Sequence, residues 1–171
     1  MELYFGFNFG FYIPIIAAII IGIILFIMFS NNSKDTISQL EKLANDHNYE
    51  LIKCKTEYHH YVLKTANNTY YLCLLNVPDY SEIIINNKNT WELRYGAGNT
   101  PGKAQPNKRY LKEIKNFLSK PYDGTKVVLI NPKPKKIARW LNESEMKIIT
   151  KDEIAYDTYA ISTNDLESFI K

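Results

Sequence analysis

Side chains able to ligate a metal or attack a substrate are few in this chain, which holds three histidines and two cysteines in 171 residues. His59 and His60 are adjacent, so a strand would send their rings to opposite faces and prevent joint chelation of one ion. Cys54 and Cys73 fall in strand-like stretches without the C-x-x-C spacing that metal and redox sites use. In a reducing compartment they read as buried thiols behaving as small hydrophobes, and a disulfide between them is open only if the membrane topology is reversed. The carboxylates of Asn142-Glu143-Ser144-Glu145 and Lys151-Asp152-Glu153 have no acid–base partner beside them, and no G-x-S-x-G signature occurs. No metal, cofactor or catalytic residue is expected from these patterns, and the reading leans away from an enzyme.

One stretch, Gly96-Ala97-Gly98-Asn99-Thr100-Pro101-Gly102-Lys103-Ala104, approaches a phosphate-binding motif. A Walker loop needs G-x-x-x-x-G-K-[ST]: backbone N–H groups wrap the phosphates, the lysine reaches the outer ones, and the hydroxyl holds magnesium. Gly102-Lys103 fits, but Ala97 stands at the first glycine and Ala104 at the hydroxyl. Ala104 has no oxygen with which to hold the ion. The loop is expected to join a strand to a helix, with Lys103 near a helix N-terminus able to face an anion.

Charge is unevenly spread. Between Lys103 and Arg139 run eleven basic residues against only Glu113 and Asp123. An anion-facing surface is expected from Lys103, Lys108, Arg109, Lys112, Lys133, Lys135 and Lys136, with nucleic acid or anionic lipid as its partner. Of the two, a solvated lysine face beside an anionic leaflet is the plainer reading. The thirteen tyrosines suit half-buried strand faces or a protein-recognition surface equally.

These residues need elements to hold them, and the first element is apolar. From Gly10 to Phe29 the sequence GFYIPIIAAIIIGIILFIMF carries no charge, and about 20 such residues match the hydrocarbon thickness when helical. Pro14 falls in the first turn, where its missing N–H costs little. No basic residue precedes the run, and SNNSKD after it offers no signal-peptidase site. A single transmembrane helix over about residues 10–29 is expected, with residues 1–31 as an N-terminal segment held in the lipid bilayer. Lys34 and Lys42 follow it, which places the remainder, 32–171, in the cytoplasm of a single-pass cell-membrane protein.

The part beyond residue 31 keeps all 21 basic residues and loses only Glu2 among the 18 acidic ones. Ile37, Leu40, Leu43 and Ala44 recur at helical spacing after a cap at Ser33 or Asp35, and His47-Asn48 ends the helix. Strands are expected at Glu50–Thr56, His59–Thr65, Thr69–Val77, Glu82–Ile85 and Thr90–Tyr95, joined as one antiparallel meander. TYYLCLLNV is apolar on both faces, the mark of a central covered strand. Asn107–Lys120 is expected to be an amphipathic helix stopped by Pro121, and Lys126–Asn131 a buried strand. Ile137–Ile149 fits a helix or a strand. Tyr156–Ser162 reads as a strand, leading into a short helix, DLESFI, capped by Thr163 or Asn164. The fold class is α/β (α+β): an N-terminal transmembrane helix followed by a small mixed-sheet sandwich with flanking helices.

This order, a helix before a meander and a helix after it, resembles the restriction-endonuclease-like fold of the PD-(D/E)xK nucleases and nuclease-related domains. The ending YAISTNDLESFI is similar to the close of the latter. In active members the resemblance implies an Asp at one core strand and a Glu/Gln-x-Lys triplet on the next, holding metal and activating water. Around the Asn67-Asn68 turn those positions are His60 and Cys73-Leu74-Leu75. All depart, so the resemblance implies a scaffold without its catalyst. The expected function is a membrane-anchored, non-catalytic binding domain with a protein or anionic partner. The alternative is a membrane-tethered nuclease using other carboxylates, Glu57, Asp79 or Glu82.

Overall fold

The computed structural model of the chain describes residues 12–55, 58–96 and 107–170, without the side chains of residue 12 and residues 24–33. Helix α1 (Tyr12–His47) is one element of 36 residues, about 54 Å at 1.5 Å per residue. The expected break and fresh cap at Ser33 or Asp35 do not occur. No Gly or Pro lies between Ile23 and His47, and extending a helix costs less than nucleating a new one. The expected boundary at 31/32 therefore lies inside the helix. Asn48, at φ 55°, ends it in the left-handed conformation that asparagine tolerates, and the Tyr49 N–H donates to the Ala44 carbonyl at 2.8 Å.

The chain then builds a six-stranded main sheet. Strands β1 (Glu50–Lys53), β2 (Tyr61–Lys64) and β3 (Thr69–Asn76) form an antiparallel meander. Strand β7 (Thr125–Asn131) lies parallel to β3, β11 (Thr158–Ser162) parallel to β7, and the two-residue β10 (Ile154–Ala155) closes the edge. The second sheet has the order β6 (Asn107–Tyr110), β5 (Thr90–Tyr95), β4 (Glu82–Asn87), β8 (Lys136–Trp140), β9 (Met146–Ile148). The expected single meander is thus divided: after Pro78 the chain leaves β3 and starts the second sheet. Ile83 and Ile85 need a partner for their apolar face and find it by packing on the first sheet rather than extending its plane.

Two cores result. Cys73, Leu75, Val128 and Ile130 face Ile83, Ile85, Trp91 and Leu93 between the sheets, with Phe117 and Leu118 of α2 (Lys115–Ser119) beside them. On the opposite face of the main sheet, Leu40, Leu43 and Ala44 of α1 pack with Leu63, Leu72, Val127 and Leu129, joined by Leu166 and Ile170 near α3 (Leu166–Phe169). Strands β3 and β7 are therefore covered on both sides, which explains their unbroken apolar runs.

The expected helix Asn107–Lys120 is corrected. Only Lys112–Ser119 is helical, as a 3-10 turn followed by α2. Asn107–Tyr110 is instead an edge strand, with Lys108 opposite Arg94 on β5, and the Leu111 N–H continues the ladder to the Trp91 carbonyl at 2.9 Å. Hydrogen bonds to a waiting strand override a helical stripe that had only Tyr110 to anchor its first turn, and Tyr110 ends up exposed. The ambiguous Ile137–Ile149 resolves into β8 and β9, turned by Asn142 and Glu145.

Among the described residues, no helix is long and apolar enough to cross a membrane. The expected span runs beyond them, since Gly10 and Phe11, and the side chains of Tyr12 and Ile24–Phe29, lie outside the described residues. Within the described part, the seven isoleucines from Ile13 to Ile23 stand 50–65% exposed.

Candidate functional site

Two places warrant testing: the hairpin positions to which the nuclease resemblance points, and the lysine-rich end of the parallel strands. At the first, His60 is tied to the backbone. Its N–H donates to the Leu72 carbonyl at 2.9 Å, and its Nδ1 accepts from the Leu74 N–H at 2.9 Å. The imidazole thereby extends the β2–β3 ladder ahead of Tyr61, where β2 begins. Burial, and then the neighbouring His59, hold its pKa below the ordinary histidine value. Cys73 is 2% exposed among apolar side chains. Burial, with Glu113 adding to it, pushes its thiol up to about 12, so it stays protonated and non-nucleophilic at neutral pH. Leu75 is equally buried. Cys73 and Leu75 have dry, apolar surroundings, whereas His60 lies at the surface. Among the described residues no three His, Cys, Asp or Glu side chains are placed to share a metal ion. Of the alternative carboxylates, Glu82 is held by Lys136 at 3.2 Å, Asp79 is exposed, and Glu57 lies outside the described residues.

Around His59 the chain builds an aromatic cluster. Tyr122 stacks on Tyr71 at 4.6 Å and meets His59 edge-on at 5.4 Å, and burial pushes the Tyr122 phenol up to about 12. Lys126 points into this cluster. Its Nζ lies 5.7 Å from the Phe117 ring centre and 6.0 Å from that of Tyr122. It donates to the Leu118 carbonyl at 2.6 Å and to Asp157 Oδ2 at 3.1 Å. Asp157 also receives Lys88 at 2.9 Å and the Thr158 hydroxyl. Burial lowers the Lys126 pKa despite Asp157. Burial alone would raise Asp157, but the hydrogen bonds from Lys88 and Lys126 outweigh it and hold the carboxylate low. Lys126 belongs to the basic run, yet at 4% exposure it is a fastening between α2, β7 and the β10–β11 turn rather than part of a solvated face. The apolar residues following it in KVVLI were the signal for this.

The expected anion-binding residues divide into two groups. Lys103 and the glycine loop from Ala97 onward lie outside the described residues. Lys108, Arg109 and Lys112 are exposed at the β6 edge, where Arg109 pairs with Glu113 at 3.0 Å. Lys133 and Lys135 stand on the loop from β7 into β8, and Lys136 opens β8. Strands β6 and β8 are three inter-strand spacings apart in the sheet, about 14 Å, so the seven residues do not form one patch.

The second group lines a cleft of about 440 Å³ at the carboxyl ends of β7 and β11, the end of a parallel sheet where ligands commonly bind. Lys133, Lys135, Lys136 and Lys151 face it, with Asp152 and Asp165 as the carboxylates of the lining. Lys133 stands 3.8 Å from Asp165, Lys136 3.2 Å from Glu82 and Lys151 2.8 Å from Asp152. Among the described residues Lys135 has no carboxylate within ion-pair reach. The floor is apolar, with Ile137, Ile148, Ile149, Ala160 and Ile161. Lys151 and the isoleucine floor escaped sequence reasoning because the β8–β9 hairpin brings them across from a distant stretch. The Lys135 N–H donates to the Ser81 carbonyl at 2.7 Å, and the Val77 N–H to the Asn131 carbonyl at 2.9 Å. These bonds fasten the lysine loop to the β3–β4 turn, whose tip carries Tyr80, 88% exposed and at φ 57°.

No protein-family model matches this chain, and no curated protein or solved structure is significantly similar to it.

Proposed function

We propose that this chain is a single-pass, membrane-anchored binding protein. Its α+β domain sits on the cytoplasmic side and holds an anionic ligand in the lysine-lined cleft, without a catalytic role. The observation that carries the anchor is the exposed isoleucine run of α1, continuous in sequence with an uncharged stretch reaching Phe29. Apolar side chains exposed on every face of a helix favour lipid over water. The ligand assignment rests on four lysines gathered at the strand ends, three of them paired with Asp165, Glu82 and Asp152 and Lys135 left over among the described residues. The nuclease-like scaffold is supported by the helix–meander–helix–strand order of the main sheet, and the lack of catalysis by the buried thiol and leucine at the triplet position.

Membranes from cells expressing the full chain test the anchor. The protein should stay with the membrane pellet through an alkaline wash, and its release into the supernatant would remove the anchor. The purified chain in mild detergent should leave labelled duplex DNA intact in the presence of magnesium. Turnover would move the assignment to a membrane-tethered nuclease. Binding of an anion should weaken with added salt, as expected for lysine-driven contacts.

A further inference from the structure

The direction of α1 sets which end of the domain faces the bilayer. Only Asn48 and Tyr49 separate α1 from β1, so β1 runs back along the helix it follows. Both line one groove, Ile37, Glu41 and Asn45 on the helix side, Leu51 and Lys53 on the strand side. Strand β1 is parallel to β3 and β7, because two antiparallel pairings separate it from β3. The amino end of α1 thus points the same way as the carboxyl ends of β7 and β11. Magnitudes agree. Ile37 and Lys53 line the same groove, and the register of Lys53 passes through Tyr61 and Leu72 to Val127. From Ile37 back to Phe29 is about 12 Å of helix, and from Val127 to Asn131 about 13 Å of strand. The uncharged segment therefore ends at about the height where the cleft and the Tyr80 turn begin.

We infer that the cleft takes the phosphate headgroup of an anionic bilayer lipid. Lys133 and Lys135 engage the phosphate, Ile148 meets the upper acyl region, and Tyr80 sits at the interface beside it. The inference rests on the anchor reading above, and it supplies what that reading lacks, the class of ligand. Two features point to an amphiphile rather than a free anion: Ile148, standing 64% exposed in the lining beside the lysines, and the height of the cleft. Tyr80 adds an amphipathic ring of the kind enriched at membrane interfaces.

The test uses the full chain in lipid nanodiscs, with amide exchange followed in segments 78–81, 132–136 and 148–152. Exchange should be slower in discs containing phosphatidylglycerol than in pure phosphatidylcholine discs. Lys133→Gln and Lys135→Gln should each reduce the difference about fivefold, from the roughly 1 kcal/mol that a lysine gains near an anionic surface. Ile148→Asn, polar but uncharged, should reduce it as well, which a site for a free anion would not require. Equal exchange in both kinds of disc overturns the inference and leaves the anchor standing. Slowing reproduced in phosphatidylcholine discs by inorganic phosphate alone also overturns it, in favour of a small anion. Failure of the chain to enter discs at all removes the anchor and the inference with it.

Discussion

Replacing Lys126 with methionine isolates the cost of unfastening the domain's interior. The aliphatic stem is kept, so packing against Phe117 and Tyr122 is largely preserved, while the amine and its two bonds are lost. The Leu118 carbonyl loses its 2.6 Å donor, and Asp157 loses one of its two lysines but keeps Lys88 and Thr158. A hydrogen bond to a charged group contributes about 1.5–3 kcal/mol, and an orphaned buried carbonyl costs about 1–3. Against these, the variant no longer buries an ammonium group. A net loss of about 2 kcal/mol is expected, or about 4–8 °C in Tm for a domain of this size. The assay is thermal unfolding of the full chain in mild detergent, followed by the emission of Trp91, which is 1% exposed in the core. The pH dependence checks the cause. Because burial lowers the folded pKa of Lys126 below 10.5, the unfolded chain binds more protons in the window just under that value. Wild-type stability should rise with pH through this window, and the deficit of Lys126→Met should widen. An unchanged or higher Tm at neutral pH, or a deficit that narrows on the way to pH 10, would refute the account.

Gly124→Ala should lower stability by about 1–3 kcal/mol, since a Cβ there would sit 2.5 Å from the Thr69 carbonyl oxygen and φ is +154°. A fall in Tm of less than 2 °C would show that the β3–β7 junction yields. Of the two thiols, half-buried Cys54 should react with maleimide in the folded chain and Cys73 should not; mass spectrometry showing both modified under native conditions would place Cys73 within reach of solvent. Protonating His60 converts Nδ1 from acceptor to donor and breaks its bond to the Leu74 N–H. Its folded pKa is lowered, so this contribution is present above the ordinary value of 6.5 and lost as pH falls through the folded value. His60→Ala should remove that portion of the acid sensitivity, and identical pH–Tm profiles for both proteins would count against it.

Much of the architecture was readable because burial leaves a period in the chain. Trp91 and Leu93 alternate with Glu92 and Arg94, and the structure buries the first pair while the second forms a half-buried ion pair across the strand face. Leu40, Leu43 and Ala44 recur at helical spacing and share one core cluster. The misreadings came where no period exists. Asn107–Tyr110 is exposed along its whole length, so nothing in its residues marks it as a strand; only the free edge of β5 makes it one. Pro78-Asp79 announces a turn but not that the chain changes sheets there. The residues expected to bind an anion were picked out by charge alone, and charge says nothing of grouping: the seven side chains divide, and Lys151 lies beside the second group from outside the run.

Composition and spacing alone determined the uncharged apolar opening, the covered central strand and the absence of a PD-(D/E)xK residue set around Asn67-Asn68, because each is a property of neighbouring residues and the solvent they prefer. Tertiary structure alone decided that Lys126 is interior, that His60 serves as a backbone acceptor, and that four lysines meet over isoleucines at one end of the sheet. Those outcomes depend on parallel pairing of β3, β7 and β11 and on the crossing between two sheets. Such pairings join residues far apart in the chain, and their free energy has no signature in any local stretch.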